Sequence, residues 1–338
     1  MKRDILSLLA LLVITLLLAF IACAPTAPPE VEPPAPPLTE KPPPETQEPE
    51  KPPPAPVFPI TITDDIGRTV TIEKLPERIV SLGPGITEML FALGLGDKVV
   101  GVTDYCDYPE EAKTKPRVGG FSTPDLERLV AAKPDLVLAG DIQKEVGVPA
   151  LEKLGLTVVT LAPKTLDGVL NNITLVGHIF GESQEASKLV TQLKERISSV
   201  TMKTETLTAE QHPRVLYVLW HDPIWSAGRE TFVSDLIEKA GGANVFADDF
   251  EEFRVVSLEA VITKDPQVII VSAMGLGGEV VYSSIKGETR LSTVEAMVKN
   301  RIYKISDSDL IELPGPRIVD GLEEVAKLIH PEIFGAVE

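Results

Sequence analysis

The apolar positions of this chain switch between two spacings. In ITITDDIGRTVTI they alternate one in, one out around an Asp-Asp-Ile-Gly turn, which predicts a β-hairpin. RIVSL, from Arg78 to Leu82, reads as a buried-type strand, and Gly83-Pro84-Gly85 turns the chain. Ile86 to Leu93 takes helical spacing and stops at Gly94. KVVGVTD predicts the next strand. DLERLVAAKPDLVLAG predicts a helix, broken at Pro134, and then a strand. LEKLGLTVVTLAP repeats helix then strand. Strands that alternate with helices predict a parallel sheet covered on both faces.

Residues 166–200 break that rhythm. Leu166, Val169, Leu170, Ile173 and Val176 follow helical spacing. So do Ala186, Leu189, Val190, Leu193, Ile197 and Val200, after a Gly181-Glu182-Ser183 break. Two long amphipathic helices are expected there. The βα alternation resumes with a strand at Arg214–Trp220, and a helix in TFVSDLIEKAGG. A helix and strand follow in SLEAVITKDPQVIIVSA, and again in STVEAMVKNRIYKIS. A flexible loop is expected from Gly275, and the last helix from about Ile318 to His330. The two α/β halves repeat each other. Asp125–Leu138 aligns without gaps on Ser257–Ile270, with Leu, Glu and Pro coinciding. Two lobes of like topology follow, and their interface is the natural place for a ligand cleft.

The first 22 residues change the picture of where the protein works. Lys2 and Arg3 precede an apolar run from Ile5 to Ala22, and Phe20-Ile21-Ala22-Cys23 resembles a lipoprotein cleavage box. We expect residues 1–22 to be a signal peptide and Cys23 the lipidated first residue of the mature chain, carrying acyl groups such as palmitate. Residues 24–59 contain 16 prolines in 36 positions. Such a segment cannot bury a core. It reads as a stalk that reaches on the order of 100 Å when stiff. The expected organisation is therefore signal peptide 1–22, lipidated Cys and Pro-rich linker 23–59, N-terminal lobe 60–165, connecting helices 166–212 and C-terminal lobe 213–338.

Charge and composition exclude several functions. The net charge of −18 argues against nucleic acid. Cys106 is the one cysteine besides Cys23, so no disulfide framework is expected, and a buried inert thiol is the reading for Cys106. His178, His212, His221 and His330 show no metal-site spacing, and no metal is expected. Gly275-Leu276-Gly277-Gly278 lacks the Lys-Ser/Thr of a phosphate loop. No catalytic motif stands out, so the chain reads as a non-enzyme without a cofactor. An anchored chelatase-like or hydrolytic enzyme on the same scaffold is the alternative of another class, with His221 its one near candidate.

The motifs RIVSLGPGITEMLFALG, GVTDYCDYPEEAKTKPRVGGF, DLERLVAAKPDLVLAG, WSAGRETFVSDLIEKAGGANVFAD and VVSLEAVI resemble those of the substrate-binding proteins of ATP-driven importers for cobalamin, haem and iron–siderophore complexes. The resemblance covers Ile60 to about Ala336. It implies two Rossmann-like lobes with parallel sheets joined by one long rigid helix, the class III, helical-backbone type. It also implies a monomer outside the cytoplasm, tethered to the membrane by its lipid, that delivers a small ligand to a dimeric permease with its ATPase.

Within the family the chain looks most like the cobalamin binders. By motif position the resemblance gives Tyr105, Phe121, Trp225 and Phe253 as aromatics against a corrin ring. It places Asp309, Leu310, Ile311, Glu312 and Leu313 where the second lobe touches ligand. The sequence departs from the cobalamin pattern at Gly140, where a tryptophan would follow DLVLA. Glu127 and Glu259, at equivalent places in the repeat, correspond to the glutamates that meet arginines of the permease. A siderophore or haem receptor is the alternative ligand class. Arg229 and Arg317 would suit the former, and Tyr105 the latter.

Overall fold

β1 (Ile60–Thr63) and β2 (Thr69–Ile72) pair antiparallel, with Ile60 and Ile62 turned into the core and Thr61 and Thr63 turned out. The computed structural model describes residues 56–272 and 278–336. The leader, Cys23, the linker up to Ala55, and Gly275-Leu276-Gly277 of the glycine-rich loop lie outside the described residues.

The first lobe is built on β3 (Ile79–Ser81), β4 (Val99–Val102), β5 (Leu136–Ala139) and β6 (Val158–Thr160). They are all parallel, in the order β4-β3-β5-β6. Its helices are α1 (Pro84–Ala92), α2 (Leu126–Ala131) and α3 (Gly147–Lys153). α1 starts at Pro84, two residues before the apolar spacing suggested. Proline suits the first helical position, because its φ is already helical and its missing N–H would have no partner there.

α4 (Leu166–Phe180) and α5 (Ser183–Thr204) are the two expected long helices. Gly181 joins them in the left-handed region at φ 75°. The 22 residues of α5 span about 33 Å.

The second lobe contains β7 (Arg214–Val218), β8 (Trp220–His221), β9 (Ile224–Ser226), β10 (Ala243–Asn244), β11 (Arg254–Val256), β12 (Val268–Val271) and β13 (Ile302–Lys304). β10-β7-β12-β13 form a second parallel sheet. Its helices are α6 (Phe232–Lys239), α7 (Leu258–Lys264), α8 (Gly278–Lys286), α9 (Glu295–Val298), α10 (Asp309–Glu312), α11 (Ile318–Ile329) and α12 (Pro331–Phe334). The strand expected at Arg214–Trp220 stops at Val218. There the chain turns into a small antiparallel sheet, β11-β9-β8, that the sequence did not announce.

The internal repeat holds at the level of single bonds. Asp125 and Ser257 both cap their helices, accepting from the N–H of Arg128 and of Ala260. Lys133 and Asp265 both end them with positive φ, 49° and 45°. Arg78 and Arg214 each open the first strand of their lobe and donate to carbonyls at the end of that helix. Asp135 accepts from the N–H of Arg78, and Gln267 from that of Arg214.

The lobes are tied together firmly. A single apolar core runs from Ile79, Met89 and Leu136 through α4 and α5 to Val215, Tyr217 and Val268. At the far end of α5, the Thr204 hydroxyl donates to Lys239 O at 2.9 Å. Along α5, Arg196 bridges to Asp320 and Glu323 of α11 at 2.5 and 2.8 Å. The N–H of Leu166 donates to Asp235 of α6 at 2.7 Å. The lobes also touch directly. A Cβ on Gly85 would stand 2.9 Å from the Pro314 carbonyl carbon, so only glycine permits that approach. Beside it the Arg317 guanidinium meets the buried Glu88 carboxylate at 2.6 Å.

Candidate ligand cleft

In open parallel α/β sheets, ligands bind beyond the carboxyl ends of the strands. Beyond β4 the chain reads Thr103-Asp104-Tyr105-Cys106-Asp107-Tyr108. Cys106 is fully buried between the Thr87 and Thr103 hydroxyls, each 3.1 Å from its sulfur. Burial pushes its thiol up, so it is the inert group expected. Arg117 fixes the loop backbone by donating to Thr103 O and Cys106 O at 2.7 and 2.8 Å. With Cys106 turned inward, Tyr105 is left 60% exposed. Its ring meets the edge of Phe121 at 5.4 Å.

Phe121 is held by a residue that sequence reasoning missed. Gln143 is buried, and its amide nitrogen donates to Leu82 O, at 3.1 Å, and to Phe121 O. Its amide oxygen accepts from Gly140 N–H at 2.6 Å. One side chain thus ties the ends of β3 and β5 to the Phe121 loop. A Cβ at Gly140 would lie 3.3 Å from that amide oxygen. The glycine standing where a tryptophan was expected therefore leaves room for Gln143. Ile142, on the same loop, is 53% exposed.

The second lobe presents the small antiparallel sheet. Trp220 lies opposite Trp225, and Trp225 opposite Val255, in one row across its three strands. The alternate row, His221, Ile224 and Val256, faces the other way, with Ile224 and Val256 buried. Trp220, Trp225 and Val255 are 41%, 38% and 49% exposed. Two tryptophans and a valine left in solvent on one face mark a surface that expects a partner. Trp225 is among the residues that the resemblance gives as facing the ligand. Trp220 is not, since it looked like the end of a long buried strand.

Phe253 is only partly exposed. Its ring packs on Tyr217 and Phe232, with centroids 6.3 and 6.5 Å apart, and belongs to the core margin. Among Asp309–Leu313, Ile311 departs from expectation. It is 1% exposed and packs in the core, because a one-turn helix must turn one side inward. Asp309, Leu310, Glu312 and Leu313 stay partly exposed. Burial raises the Asp309 carboxyl, helped by Asp307 and by Asp107 of the first lobe. The Tyr105 loop and α10 therefore lie close enough across the lobes to share a field.

Burial also pushes the Glu312 carboxyl up to about 7, against the Ser272 hydroxyl that donates to it. At pH values below its ordinary 4.5 this group costs nothing. Between 4.5 and about 7 the folded chain keeps a proton that the unfolded chain gives up, so stability falls as pH rises. Glu312→Gln should therefore gain about 1–3 kcal/mol over the parent at pH 8 and almost nothing at pH 4.5. Urea unfolding at the two pH values measures this, and an equal gain at both would contradict it.

Three cationic side chains of this region are paired with carboxylates. Arg317 contacts Glu88, Asp307 and Asp309 and lies 4.0 Å over the Tyr108 ring. Arg229 pairs with Glu251. Lys164 pairs with Glu230 at 2.7 Å. Among the described residues, no group of three His, Cys, Asp or Glu side chains is placed to hold a metal ion. No helix among them is long and apolar enough to cross a membrane.

Glu127 and Glu259 are exposed in the first turns of α2 and α7. The Glu259 carboxyl is held below the usual range by its own backbone N–H and the Ser257 hydroxyl. Each helix precedes a strand of its lobe's parallel sheet, α2 before β5 and α7 before β12.

A family model described as periplasmic binding protein matches residues 79–308. The chain belongs to that family. A Bacillus subtilis protein named as an ABC transporter substrate-binding lipoprotein, YvrC, is 32% identical over 283 residues, 82% of this chain and 88% of its own. A vitamin B12-binding protein of Vibrio cholerae is 31% identical over 253 residues, 74% and 87% of the two chains. Among solved structures, the B12-binding protein BtuF of Vibrio cholerae superposes with a TM-score of 0.65 at 29% identity, covering 75% of this chain and 97% of its own. The haem-binding protein RhuT of Roseiflexus superposes at 0.67 and 30% identity, covering 75% and 98%. The fold class read from the sequence is thereby shown. As a member of this family the protein is the substrate-binding component of an ABC importer, which binds a small molecule and delivers it to a permease.

Proposed function

We propose that this periplasmic binding protein captures a corrinoid between its lobes. The observation that carries the reading is the outward row Trp220, Trp225 and Val255, set in a molecule whose other wall offers Tyr105 and Phe121. Flat aromatic faces suit a large conjugated ring. The partly buried Asp309 and Glu312 and the paired state of Arg229 and Arg317 suit a ligand without net negative charge. The relatives named for B12 and cobalamin support the same reading. A haem ligand is the second reading, favoured by the exposed phenol of Tyr105 and the likeness to RhuT. Residues 60–165 and 213–338 form the ligand-holding lobes, and 166–212 their connection. Cys23 carries the lipid, as the lipoprotein relative's name supports, and Glu127 and Glu259 meet the permease.

Titration of the purified body with cyanocobalamin, haem and ferric siderophores tests the ligand. Cyanocobalamin alone should quench tryptophan fluorescence saturably. Trp225→Ala should weaken that binding by about 1–3 kcal/mol, from lost stacking and burial. Binding of haem or a ferric siderophore without cyanocobalamin would reassign the ligand and leave the transport role intact.

A further inference from the structure

The two lobes repeat each other most closely in α2 and α7, and the repeat extends to exposed side chains. Glu127 and Val130 on α2 hold the positions of Glu259 and Ile262 on α7. The residues between, Leu129 and Val261, are both fully buried. Residues three apart on a helix lie on one face, one turn on. Val130 is 45% exposed and Ile262 38%. One exposed aliphatic residue is ordinary. The same aliphatic exposure, one turn after a carboxylate, on both lobes of one molecule, asks for a cause. Neighbouring exposed positions do not share it. Arg128, which pairs with Asp125 at 3.1 Å, stands where the second lobe has Ala260.

We propose that Val130 and Ile262 complete the permease-docking surface, so that each lobe offers its partner a carboxylate with an aliphatic side chain one turn beyond. The partner is then a two-fold membrane protein whose halves each present a cation beside an apolar socket. The carboxylates select that partner by charge and fix its orientation. The aliphatic pair loses water on contact and slows release. This rests on the reading of Glu127 and Glu259 as docking residues.

The test uses the full chain and its permease–ATPase complex in lipid nanodiscs. The pair Val130→Ser and Ile262→Ser should weaken complex formation about tenfold, mainly through faster dissociation. The loss should be equal at low and high salt, because apolar burial is not screened. Cyanocobalamin titration should not move, and the melting temperature should fall by only a few degrees, since both side chains are about half exposed. The exchange Val130→Ile with Ile262→Val should dock like the parent. If the serine pair docks like the parent while reversal of Glu127 and Glu259 abolishes docking, the aliphatic contact is overturned and the docking face stands. If neither pair affects docking, the face itself is elsewhere and this inference falls with it.

Discussion

Replacing Arg317 by Ala is expected to cost about 3–5 kcal/mol of stability, because it strands a buried carboxylate. Glu88 is 4% exposed and belongs to the first lobe, while Arg317 belongs to the second. Burial already raises the Glu88 carboxyl, and the Arg317 guanidinium opposes that rise. Without the arginine, folding would force Glu88 to take a proton. The loss should therefore be greater at pH 8 than at pH 5, since only ionised Glu88 lacks a place in the core. Adding Glu88→Gln to Arg317→Ala should recover much of the loss at pH 8. Urea unfolding of the two single variants and the double variant gives the coupling directly. A loss independent of pH, or no recovery in the double variant, would show that Arg317 acts through its contact with the Tyr108 ring or with Asp307 instead.

Reversing both proposed docking carboxylates, Glu127→Lys with Glu259→Lys, is expected to weaken complex formation with the permease about a hundredfold or more. Each single reversal should cost less than the pair, since one lobe would still hold the register. Ligand titration should be nearly unchanged, because both residues are exposed in the first turns of α2 and α7. High salt should relieve part of the defect, since repulsion between exposed charges is screened beyond about 10 Å at 0.1 M. A double variant that docks and supports uptake like the parent would reduce both residues to ordinary helix-start carboxylates, which the field of the helix favours anyway.

Much of this architecture is legible from local pattern. The hairpin at 60–72, most of the parallel strands, the pair of long helices and the repeat follow from spacing and breakers, because each lies in an apolar or alternating stretch bounded by Gly, Pro or a turn. The β11-β9-β8 sheet is not legible in that way. Its strands are two or three residues long and lack the flanking apolar run and helix that mark β3 or β6, and β8 follows directly where the chain leaves β7 at Val218. Trp220 was hidden for this reason, while Trp225 was visible through its motif. Ile311 sits in a single turn of helix, where spacing cannot tell the inward side from the outward one. Gln143 and Glu88 were silent for another reason. Their roles lie in partners far along the chain, Leu82 for one and Arg317 for the other, and no local window contains both members.

The firm joining of the lobes has a consequence for how traffic is controlled. A receptor that clamps shut announces its cargo by its outline. Here the core is continuous through α4 and α5, and the Glu88–Arg317 pair joins the lobes. Empty and laden molecules are then expected to present nearly the same outline to the membrane. The vacant form becomes a rival for the same berth, and import is set by the fraction of receptors carrying cargo rather than by their number. Making more of the protein in a ligand-poor medium would slow uptake.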